Sequence, residues 1–187
     1  MVALLVLPLA AVAVLTAFGQ FELPYELAAV DARLPGLFPL HMASAAAALV
    51  LVPTALLLRR RPHLHRTAGR SAAIAVLIAG ATAVPVALAG VAPPWAVAGF
   101  VAQALAWLGF LSSGYVAIRR GRVQSHARAM LAVTAVTSAA IWLRPAMVFA
   151  RHADWPFETS YAVIVWASWL VPLAVVAVGV GVVRGRW

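Results

Sequence analysis

The chain has 187 residues, 65% of them hydrophobic and 10% charged, a balance that a water-soluble fold of this size does not sustain and that places the protein in lipid. Its formal charge of +9 rests on 14 basic residues, all Arg, confined to short segments between apolar stretches, which reads as membrane topology rather than as a nucleic-acid surface. There is no Cys, so disulfides, iron–sulfur clusters, thiolate zinc sites and cysteine nucleophiles are excluded as well.

Lipid offers no water to backbone amides, and long Ala/Val/Leu runs without period-two alternation satisfy them within each segment as helices. The fold class expected is therefore all-α, a polytopic bundle. Taking roughly 20 apolar residues per crossing, the sequence supplies six spans in chain order, near 2–19, 37–58, 67–90, 94–118, 127–150 and 159–183. The first lacks the basic start of a cleaved signal peptide and is kept as a helix. Turn or charge chemistry marks the breaks: an acidic loop from Gln20 to Gly36, RRRPHLHR from Arg59, VAPP from Val91, RRGRVQSHAR from Arg119, and RHADWPFE from Arg151. No linker divides the chain, so residues 1–187 read as one transmembrane domain.

The basic residues set the orientation. Arg59, Arg60, Arg61, Arg66, Arg70, Arg119, Arg120, Arg122, Arg128, Arg184 and Arg186 fall on one side, and Arg33, Arg144 and Arg151 on the other with every acidic residue, Glu22, Glu26, Asp31, Asp154 and Glu158. The arginine-rich side is expected in the cytoplasm of a bacterium, with both termini there and the chain in the inner membrane.

Ionisable groups inside a span are costly and mark either contacts between helices or a site. His126 and Arg144 are 18 residues apart, five turns or about 27 Å, which places them on one face of the fifth span with Thr137 between them. Arg144 and Glu158 are close enough across the following loop to pair. The histidines form two layers. His63, His65 and His126 lie at the arginine-rich side, the first two in a loop, while His41 and His152 lie at the other. Two imidazoles from different helices are what a membrane b-type haem needs. The inner layer offers His65 and His126, with Arg66, Arg70 and Arg128 beside them as partners for propionates and Gly69 one turn from His65 as a gap for a flat ring. A zinc or copper site from His63, His65 and His126 and an outer pairing of His41 with His152 are the alternatives.

Several segments carry a resemblance: the lone His41, HRTAGR from His65, SHARAML from Ser125, LRP from Leu143 and FETSYAVIVWASWLVP from Phe157. From about His41 to Pro172 the chain resembles the domain-of-unknown-function 2306 family of predicted bacterial membrane proteins. It departs from the family pattern at Ala127, where Arg usually follows the His, at Ala129, usually aromatic, and at Leu173, often Asn. The resemblance implies that His41, His65, Arg70, His126, Arg144 and Glu158 are the positions that matter, without assigning them a task.

Three functions fit these residues. The first is a redox protein holding haem b on His65 and His126. The second is a transporter for a proton or small molecule, lined by His126, Thr137 and Arg144. The third is an accessory or assembly subunit with a membrane partner or a second copy of itself. No nucleotide loop and no Ser/His/Asp set is present, which speaks against a hydrolase or an ATP-driven pump.

Overall fold

Proline and glycine punctuate the chain, and the helices follow them. The computed structural model describes residues 25–184 and, before them, positions 8, 10–12, 15, 20 and 23. The expected first span, 2–19, lies for the most part outside the described residues, as do Glu22 and Arg186. A short helix α1, Tyr25–Arg33, precedes α2, Leu37–Leu57, and Gly36 at φ 80° makes the turn between them in a conformation that suits a residue without Cβ. A 3-10 turn, Leu58–Arg60, ends α2. Helix α3, Pro62–Ala89, and helix α4, Pro94–Arg119, each open on Pro, whose missing N–H costs nothing in a first turn. Gly121, at φ 69°, reverses the chain into α5, Val123–Thr137; α6, Ala139–His152, and α7, Phe157–Arg184, complete it.

Five helical segments are long and apolar enough to cross a membrane: Leu37–Arg60, Pro62–Ala89, Pro94–Arg119, Val123–His152 and Phe157–Gly179. Among the described residues there is no strand, and the protein is an all-α bundle. The turns bearing Arg59–Arg61 and Arg119–Arg122 lie at one end, and those at Gly90–Pro93 and Ala153–Pro156 at the other.

Three details differ from expectation. Residues 25–33 form a helix rather than a loop, because Leu27, Val30 and Leu34 recur at helical spacing and Val30 is buried against the bundle. Its last residue caps a neighbour: Arg33 donates from Nη1 to the Ala89 carbonyl, in the final turn of α3, at 2.7 Å. Helix α3 starts at Pro62 rather than 67, so His63 and His65 stand in its first turn and not in a loop. The fifth span is two helices. At Ser138 the amide is shared between Thr134 and Ala135 carbonyls, and Ile141 N–H bonds to Ser138 O at 2.9 Å, a tight three-residue step that interrupts the α-helical ladder. Pro145 removes a further ladder donor within α6.

Small residues let the helices approach. Ala48 and Val52 of α2 meet Ala72, Ala75, Val76 and Ala79 of α3, with Val133 and Val136 of α5 against them. Apolar lipid gives no drive to hide such side chains, so close backbone packing is what holds a bundle of this kind together. Gly80 and Gly99 mark two of the close approaches, where an added Cβ would fall 2.7 Å from Leu108 Cδ2 and 2.8 Å from Val165 Cγ1. Two indoles fill the centre. Trp107 donates from Nε1 to Thr137 Oγ1 at 3.0 Å, while the buried Nε1 of Trp169 has no acceptor.

Candidate functional site

Three of the five histidines, His41, His65 and His126, are anchored by the same device. His65 and His126 occupy equivalent places, the fourth residue of α3 and of α5, and their amides make the first bonds of those helices, to Arg61 O at 2.9 Å and Arg122 O at 3.0 Å. The His65 ring donates from Nδ1 to Ala55 O at 2.8 Å, one of the last-turn carbonyls of α2 that the helix itself leaves open. The His126 ring donates from Nδ1 to Gly114 O of α4 at 3.0 Å. His41, in the second turn of α2, places Nδ1 at 3.1 Å from Ala79 O and 3.2 Å from Thr82 Oγ1, and the Thr82 hydroxyl spends its own hydrogen on Ile78 O at 2.7 Å.

A carbonyl oxygen carries no hydrogen, so the proton in each bond sits on Nδ1, and in the neutral ring Nε2 is then the nitrogen with the lone pair. This is the tautomer of an imidazole ready to bind a metal through Nε2 with its other nitrogen steadied by an outer partner.

The two rings expected to pair do come together. The His65 and His126 centroids are 6.4 Å apart with planes crossing at 79°. At metal–imidazole nitrogen distances of about 2 Å, rings at this separation would be close enough to hold one metal together. Gly114 favours the approach. A Cβ there would meet the mobile end of Met130 at Cε and sit 3.1 Å from Ala129 Cβ, so glycine eases the close approach of α5 by which His126 reaches the α4 backbone. The Gly114 contribution escaped the sequence reading, and its one signal is its place in α4 opposite SHARAML.

Around the pair, Arg66 and Arg70 are exposed and Arg128 is half-buried, and no acceptor among the described residues engages any of the three. Gly69, four residues after His65, has nothing within 4 Å of where its Cβ would be.

Other expected groupings are not formed. Among the described residues no three His, Asp or Glu side chains gather to hold a metal ion, so the set of His63, His65 and His126 fails. The reason is helical: residues two apart point roughly 200° away from each other, and His63 is exposed while His65 turns inward. Arg144 and Glu158 are both exposed and make no ion pair. The step at Ser138 takes Arg144 off the face that carries His126. Of that stripe only Thr137 is buried, its hydroxyl donating to Val133 O at 2.7 Å while it accepts from Trp107. His41 finds its partners on α3 and not at His152, which is exposed at the end of α6.

Comparison with known proteins agrees with this architecture. Residues 38–179, from the start of α2 into α7, match the family model described as predicted membrane protein DUF2306. Searches of curated proteins and of solved structures give no match. The matched segment holds His41, His65 and His126 with the helices that anchor them, and the chain belongs to the DUF2306 family of predicted membrane proteins.

Proposed function

We propose that the protein is a redox protein of the bacterial cytoplasmic membrane, in which His65 of α3 and His126 of α5 would hold one b-type haem. The observation that carries this reading is the pair itself: two imidazoles on different helices, 6.4 Å apart, each with Nδ1 occupied by a backbone carbonyl and Nε2 free. The open space beside Gly69 suits the edge of a flat macrocycle, and Arg66, Arg70 and Arg128 suit its propionates. A haem in this place would carry single electrons. The chain's own part is to fix both rings by their outer bonds and to surround them with apolar helices. The arginine-bearing turns would face the cytoplasm, in one transmembrane domain.

A transport stripe of His126, Thr137 and Arg144 has less support, because the Thr137 hydroxyl is committed to Trp107 and Val133 and Arg144 stands outside the bundle. No observation singles out an accessory role.

The test is an absorption spectrum of the full chain, purified in detergent from cells supplied with haem. A Soret band that disappears in His65→Ala and in His126→Ala is the expected result. Colourless, iron-free wild-type protein would end the proposal.

A further inference from the structure

At the arginine-rich end of α4 and α5 lies a recess of about 400 Å³ lined by Ser112, Ser113, Val116, Ala117, Arg122 and Ser125. We infer that this recess is a binding site for the phosphate headgroup of one anionic phospholipid. The inference does not depend on the haem.

Charge comes first. Arg119, Arg120, Arg122 and Arg128 surround the turn, and no carboxylate occurs anywhere between Asp31 and Asp154 in the sequence to neutralise them. Arg122 is exposed and bonds to no acceptor among the described residues.

The hydroxyls give a second, separate argument. Serine and threonine in an apolar helix normally return their hydrogen to a carbonyl three or four residues back, as Ser44, Thr54, Thr82, Thr134, Thr137 and Ser168 do here. Among the described residues the exposed Ser112 and Ser125 make no such bond, as is also true of the exposed Ser71 and Thr159, and of these four it is Ser112 and Ser125 that line the recess.

Depth and lining select a lipid over a free anion. Ser112 lies seven residues before the end of α4, about 10 Å below it along the helix axis, which is the level of glycerol esters when Arg122 is at the level of phosphate. Val116 is exposed beside it and Ala117 closes the wall, so an acyl chain has an apolar surface to follow away from the headgroup. An inorganic anion would use Arg122 and leave the rest unexplained.

The experiment uses the full chain in detergent, titrated with phosphatidylglycerol or with phosphatidylcholine of the same acyl chains, and counts retained lipid by native mass spectrometry. Phosphatidylglycerol should be retained about tenfold better, the scale of one charge-assisted hydrogen bond. Arg122→Gln should abolish that preference, and the double change Ser112→Ala with Ser125→Ala should weaken it. Arg61→Gln, on the other arginine-bearing turn, should leave it intact. Equal retention of the two lipids, an equal loss in Arg61→Gln, or displacement of the lipid by inorganic phosphate would each overturn the inference.

Discussion

The two ends of the bundle use the same local device for different ends. At the carboxylate-bearing end His41 is tied through Nδ1 to α3, and at the arginine-rich end His65 and His126 are tied to α2 and α4 in the same manner. Only the arginine-rich end brings a second imidazole to meet the first, at 6.4 Å. An anchored ring is thus a general way of seating a polar side chain in lipid. What sets the arginine-rich end apart is a second anchored ring beside the first.

That contrast breaks if the ends respond alike to mutation. The largest effect is expected from His126→Ala or His65→Ala, which should remove the haem spectrum completely, while His41→Ala should keep it; equal loss from all three would deny the inner pair its special place. Next in size is a contrast between two glycines of the inner end. Gly114→Ala should destabilise the protein by about 1–3 kcal/mol through overpacking against Met130 and Ala129, whereas Gly69→Ala, open on that side, should stabilise the haem-free protein by about 0.5–1 kcal/mol. Thermal unfolding in detergent reads both. Thr137→Val should cost about 1–3 kcal/mol by leaving the Trp107 N–H buried without an acceptor, measured the same way. Smallest is Arg33→Gln at the outer end, where loss of an exposed bond to Ala89 O should lower stability by no more than about 1 kcal/mol.

Much of the fold is legible in the sequence because lipid imposes a simple rule. The spans at 37–58, 94–118 and 159–183 agree with α2, α4 and α7 to within a few residues, since Gly36, Pro94 and the charged turns mark their ends. The rule fails where length is short or the ladder breaks. Nine residues from Tyr25 are too few and too polar to register as a span, and their helix is visible only in the spacing of Leu27, Val30 and Leu34. The step at Ser138 has no Gly or Pro at the position itself, so an unbroken periodicity carried Arg144 onto a face it does not occupy. The meeting of His65 with His126 was legible as two basic-flanked histidines at one membrane level. The carbonyls of Ala55 and Gly114 were not, because backbone acceptors carry no residue signature.

The interruption at Ser138 has a consequence for how the molecule tolerates change. Helix α5 packs against α4, α7 and α2, whereas α6 packs chiefly on α7. Residues beyond the interruption can therefore drift, even by an inserted residue, without rotating the segment that carries His126. The outer half of this crossing is mechanically insulated from the inner half, and variation among relatives is expected to concentrate in that outer half, whose one histidine, His152, is exposed and unanchored.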